Sequence, residues 1–207
     1  MINDIEDHIK SMLTKNQYKI FCKDNSFDVF MKKKNYVVQE KLGRCIMSLE
    51  TKKSSTSDIV IRAKSTTLHF SLRKFVVATG LNCLSNIHDF LFDEDLLNKI
   101  IDHYFDSARY VQKRKLFAVV TGKIWENENE KDALKFSNLY FIHAFLLLSV
   151  DTIIISRFHF DMMKSGHYRD YPWKSVAYEE LAKSLNTNLK PTEKFYMLHR
   201  MSLAIQI

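Results

Sequence analysis

LHFSLRKFVVATGL, residues 68 to 81, reads as the end of a β-strand running straight into a short helix. Ser71 suits the N-cap, because its hydroxyl accepts from the backbone N–H of Lys74 or its neighbours in the first turn. Leu72, Phe75, Val76 and Thr79 then recur at helical spacing, and Gly80 stands where a left-handed C-cap residue belongs. Upstream, Ile59-Val60-Ile61 and Leu68-His69-Phe70 are two short β-prone segments around Ala63 to Thr66. They predict a small antiparallel hairpin, although the connection lacks the Asn-Gly or Asp-Gly signal of a tight turn. This passage specifies architecture and contains no chemistry.

Outward from it, apolar periodicity marks helices. Ile2, Ile5, Ile9, Met12 and Leu13 form one stripe; Val38, Leu42, Cys45, Ile46 and Leu49 form another. Asn16 to Asn35 mixes aromatics with lysines and reads as short helix or loop. Asp93 is expected to begin a helix faced by Leu96, Leu97, Ile100, Ile101, Tyr104 and Phe105, and Leu116, Phe117, Val120 and Ile124 suggest the next. Asn127 to Asp132 reads as an acidic loop before a central, buried helix from about Ala133 to Leu148. Asp151 is expected to cap a helix carrying Ile154, Ile155, Phe158 and Met162. Tyr171-Pro172-Trp173 signals a further start, since proline fits a first helical turn, with Val176, Ala177, Leu181 and Leu185 as core face. Thr192 to Ile207 closes on an apolar phase, which suggests truncation in the last helix. The prediction is a mainly α (α+β) chain: a single helical domain of about seven to nine helices with one small antiparallel β-hairpin. Residues 1–35 would be a helical extension and 36–207 the domain proper.

Composition supports a folded core. The chain has 207 residues, 46% of them hydrophobic, and only four Gly and two Pro, so helices should dominate over turns. The net charge of +7 permits contact with a polyanion, but the excess is scattered, and a solvated surface is the preferred reading. Cys22, Cys45 and Cys83 are odd in number and form no CxxC pair, which suits a reduced intracellular compartment. Asp4, Glu6 and Asp7 stand where a signal peptide needs a basic start. The most apolar run, Leu139 to Ile155, is interrupted by His143, Ser149 and Asp151 and falls short of the roughly 20 residues a membrane span needs. No membrane association is expected.

Residues able to carry chemistry are weighed against structural roles. Cys83, in an expected loop with His88 five residues on, is the best placed cysteine, but no dyad is defined and a structural role is favoured for all three. His159, Asp161 and His167 come nearest to a ligand set; two residues apart, His159 and Asp161 cannot share a helix face. His143 reads as a core histidine. Asp93-Glu94-Asp95 suits a helix N-terminus, and Glu179-Glu180 with Lys183 an exposed face of ion pairs. The four glycines are isolated, so no phosphate-cradling loop is present. No catalytic, cofactor-binding or metal-binding residue is assigned.

Two patches set basic residues beside aromatics, a pairing that suits nucleic acid because cations neutralise phosphates and rings stack on bases. Lys32, Lys33 and Lys34 beside Tyr36, and Lys113, Arg114 and Lys115 after Tyr110, are the candidate contacts. No helix-turn-helix or zinc-finger spacing accompanies them. Tyr171 and Trp173 are candidate partner contacts, since such rings anchor interfaces; the favoured reading packs Trp173 onto the core.

From about Asn35 onward the chain resembles the plant domain of unknown function that sits upstream of Ulp-type SUMO-protease modules in transposon-derived proteins. The likeness is carried by FSLRKFVVATGLNC (Phe70 to Cys83), DALKFSNLYFIHAFLL (Asp132 to Leu147) and HYRDYPWKSVAYEELAKSL (His167 to Leu185), with KFYMLHRMSLAIQI as the family's continuation. Phe75 to Leu81 is also similar to part of the plant mobile domain. The resemblance implies a non-catalytic accessory or interaction domain that positions or targets such a protease, with a protein partner or a downstream protease module, in an intracellular, nuclear setting. The His, Asp, Gln and Cys signature of the protease has no counterpart in these residues, so no catalytic residue carries over. The rival expectation is a nucleic-acid-binding module.

Overall fold

The computed structural model describes residues 2–25, 58–63, 65–79, 90–93, 96–125, 130–147 and 151–186. Eight α-helices and two two-stranded antiparallel sheets are found among them. By contacts the chain divides into two compact units, each discontinuous in sequence. The expected boundary near residue 35, the helix of Val38 to Leu49 and that of Thr192 to Ile207 lie outside the described residues, as does Gly80.

One unit is built on the opening stretch. Strands β1 (Asp58–Ala63) and β2 (Thr66–Ser71) pair so that Ile59 faces Phe70 and Ile61 faces Leu68. Because side chains alternate across a strand, one face becomes apolar, and Ile59 and Ile61 are buried. Helix α1 (Ile2–Met12) and α2 (Lys15–Asn25) belong to the other unit; the next described helix, α3 (Leu72–Thr79), belongs to this one and starts directly from β2. Ser71 Oγ accepts from the Lys74 N–H at 3.4 Å, which is the expected cap. Phe75 is fully buried and meets the rings of Phe70 and Tyr178 edge-on at 6.4 and 5.5 Å. Tyr178 lies on the helix Trp173–Asn186, in whose first turn the N–H groups of Ser175 and Val176 donate to the Pro172 carbonyl. Its hydroxyl donates to the Phe70 carbonyl at 2.6 Å, and burial pushes its pKa up to about 12.

The other unit packs around one helix. In chain order its elements are α1, α2, α4 (Lys99–Tyr104), β3 (Val111–Gln112), α5 (Lys113–Gly122), α6 (Glu130–Phe141) and the π turn Ile142–Leu146 that continues it. Strand β4 (Ile154–Ile155), α7 (Arg157–Ser165) and a 3₁₀ turn (His167–Arg169) follow; the helix Trp173–Asn186 is α8. Helix α6 touches α1, α2, α5 and α7, as expected of the central apolar helix. Phe136, Leu139 and Phe141 are inaccessible; Trp125 stacks on Phe136 at 5.1 Å, and Phe21 meets Phe141 edge-on at 5.7 Å. Ser137 and Asn138, buried on the same helix, donate to the carbonyls of Ala133 and Leu134 four residues back.

The stretch after Asn16, read as short helix or loop, is helix as far as Asn25, begun by a reciprocal capping box: Thr14 N–H donates to Gln17 Oε1 at 2.9 Å and Gln17 N–H to Thr14 Oγ1 at 3.3 Å. Three expectations need correction. Helix α4 starts at Lys99 and not at Asp93, because Asn98 Oδ1 accepts from the N–H groups of Ile100 and Ile101. Leu96 and Leu97 therefore precede the helix and are exposed. Asp132 lies inside α6 and is buried. Ile154 and Ile155 are strand, paired with β3, and Asp151 serves α5 instead of α7: the free N–H groups of Lys113 and Arg114 donate to the carbonyls of Ile153 and Asp151. No helix among the described residues is long and apolar enough to cross a membrane.

Candidate functional site

A groove of about 810 Å³ opens where α4, α6 and α7 converge, lined by Lys99, Ile100, Asp102, His103, Tyr104, Asp132, Lys135 and Lys164. Its basic side chains come from three elements. Lys99 and His103 sit one turn apart on α4, Lys135 lies in the early turns of α6, and Lys164 lies in the last turn of α7. Gly166 ends α7 at φ 82°, a left-handed position that glycine adopts without strain.

Two of the three ammonium groups are held. Lys135 Nζ donates to Asp132 Oδ1 at 2.8 Å, while Tyr104 donates its hydroxyl proton to Asp132 Oδ2 at 2.9 Å. Both oxygens of this carboxylate, whose side chain is only 10% exposed, are thus occupied. Lys164 Nζ donates to the Leu97 carbonyl at 2.8 Å. Lys99 is exposed, and the Tyr104 ring stands edge-on to His103 at 4.6 Å. Charge in the groove is positive on balance, with Asp102 as a second, half-buried carboxylate.

The groove's rim is braced from beneath. Asn98, which caps α4, also donates its amide to Asp161 Oδ1 at 2.6 Å, and Arg157 Nε stands 3.5 Å from Asp161 Oδ2. The Arg157 guanidinium donates further to the Leu96 carbonyl. Asp161 is accordingly a buried brace. His159, two residues earlier, turns to a different neighbour, and its Nδ1 lies 3.0 Å from His143 Nε2 in the π turn. Burial lowers the His159 pKa to about 4. No group of three or more His, Cys, Asp or Glu side chains is placed to hold a metal ion among the described residues.

The candidates read from sequence are dispersed. Lys32, Lys33, Lys34, Cys45 and Cys83 lie outside the described residues. Lys113 is buried, its Nζ 3.6 Å from Asp151 Oδ1 and over the Phe117 ring at 5.0 Å; burial lowers its pKa more than Asp151 raises it. Arg114 and Lys115 are exposed, and Arg114 Nε donates to Gln112 Oε1 at 2.7 Å. Tyr171 and Trp173 are both buried, Tyr171 against the rings of Phe90 and Phe158. Lys99, His103, Lys135 and Lys164 carry no sequence signal beyond an i,i+4 and an i,i+3 spacing with their local neighbours; tertiary packing alone joins them.

Comparison with known proteins adds a family. The model described as domain of unknown function (DUF1985) matches residues 47–184, well over half of the chain. No curated protein and no solved structure matches.

Proposed function

The chain belongs to the DUF1985 family, and from that premise we propose that it is a non-catalytic accessory and interaction domain. The observation that supports this reading best is the groove between α4, α6 and α7, an open surface with two of its three lysines fixed by hydrogen bonds. Polar side chains of the same unit are paired with one another: Asn98 with Asp161, Tyr104 with Asp132, and His143 with His159. The likeness of three stretches to the plant, transposon-derived domain upstream of Ulp-type modules supplies the partner, a SUMO-protease-like module in the nucleus.

The test adds the purified chain to a Ulp-type protease module and a SUMO fusion. Binding to the module with a changed KM, and no turnover by the chain alone, is the expected result. Turnover by the chain alone that a Cys83→Ala substitution abolishes would replace this reading with an enzyme; absence of binding would end it. A second reading, nucleic-acid binding, is favoured by the Arg109 guanidinium lying 5.3 Å over the exposed Tyr110 ring, a few residues before the exposed Arg114 and Lys115. A steep loss of oligonucleotide affinity with salt would select it.

A further inference from the structure

We propose that the groove of Lys99, Lys135 and Lys164, together with the displayed Leu96 and Leu97, binds an acidic peptide segment that carries apolar residues. This rests on the reading of the chain as an interaction domain. Three observations converge on that occupant.

The first is charge. Ammonium groups from three elements line one open groove; Lys135 is paired with the buried Asp132 carboxylate, which also accepts from Tyr104, so Lys99 and Lys164 are the charges that remain to meet a ligand. A ligand with carboxylates spaced along it would meet these two lysines in turn. The second is sign mixture. Asp102 stands in the lining; it opposes a compact dianion such as a phosphate, whereas a peptide offers singly charged carboxylates and also N–H donors for Asp102 to accept. The third is the rim. Three consecutive residues are pinned, Leu96 and Leu97 through their carbonyls by Arg157 and Lys164, and Asn98 through its side chain by Asp161. Their fixed backbone leaves the Leu96 and Leu97 side chains 61% and 76% exposed. With their backbone already fixed, covering these leucines orders only their side chains, which favours an interface. Lys164 joins the two features, since its ammonium reaches the groove and holds the Leu97 carbonyl.

The probe is a fluorescein-labelled dodecapeptide of repeating Glu-Glu-Leu, titrated with the full chain and followed by anisotropy. Saturable binding is expected, weakened about tenfold or more in Lys99→Gln/Lys164→Gln and several-fold in Leu96→Ser/Leu97→Ser. Lys135→Gln is kept for a separate variant, because it disturbs the Asp132 pair; circular dichroism checks that each variant folds. Unchanged affinity in both double variants overturns the proposal. So does a dodecamer of deoxythymidine that binds as tightly as the peptide with the same lysine dependence, which would make the groove a nucleic-acid site. Loss of the proposal with protease-module binding intact removes the groove and leaves the accessory reading standing; peptide binding without protease-module binding does the reverse.

Discussion

At the scale of single residues, burial decides which charges act. His159 and His143 share one hydrogen bond at 3.0 Å, which two neutral rings make by offering one donor and one acceptor. Placing a proton on each nitrogen of both rings would set donor against donor. Burial accordingly holds the His159 pKa near 4, below the ordinary 6.5. The unfolded chain therefore binds the proton more readily than the folded one, and stability must fall with acid. The contribution is fully present above pH 6.5 and is lost as pH falls from there through about 4, amounting to roughly 3 kcal/mol. Urea unfolding of the wild type and of His159→Gln at several pH values in this window reads it directly. The difference between the two should shrink as acid is added, since carboxylates contribute to both alike; parallel curves would show that His159 is not the group responsible.

Among elements, what was legible in the sequence is what local rules control. The stripe of Ile5, Ile9 and Met12 buries as its period says, and Ser71 caps α3 because strand end and helix start are adjacent in the chain. The box formed by Thr14 and Gln17 is equally local, and it outweighs the weak apolar period of the residues after Asn16. Where a distant residue intervenes, local pattern misleads. The acidic residues and leucines from Asp93 to Leu97 look like a helix start, yet Asn98 sets it later because Asp161, on α7, orients the Asn98 amide so that its oxygen faces the N–H groups of Ile100 and Ile101. The groove was illegible for the same reason, since its lysines come one each from α4, α6 and α7. Asn98→Ala removes a cap and leaves Asp161 short of a donor, so thermal or urea unfolding should report a loss of about 2–3 kcal/mol. A loss below about 0.5 kcal/mol would mean that the start of α4 is fixed by something other than this amide.

For the whole molecule, the question is whether the net charge of +7 acts as a diffuse field or through a place. Part of the basic stretch after Tyr110 is withdrawn from solvent, because Lys113 is buried against Asp151 and Phe117; Arg114 and Lys115 remain exposed. Two substitutions then remove the same charge from different sites: Lys99→Gln/Lys164→Gln from the groove and Arg114→Gln/Lys115→Gln from the α5 surface. A diffuse field would weaken acidic-peptide binding equally in both, because it depends on the total charge and not on where that charge sits. A groove that holds Lys164 against the Leu97 carbonyl concentrates the effect, because a charge fixed before binding loses little freedom on meeting the ligand. The groove variant should therefore lose about tenfold in affinity at moderate ionic strength while the α5 variant changes less than about twofold. Repeating the titration at high salt should narrow the gap by weakening the wild type toward the groove variant. Equal losses in the two variants at every salt concentration would assign the affinity to net charge alone.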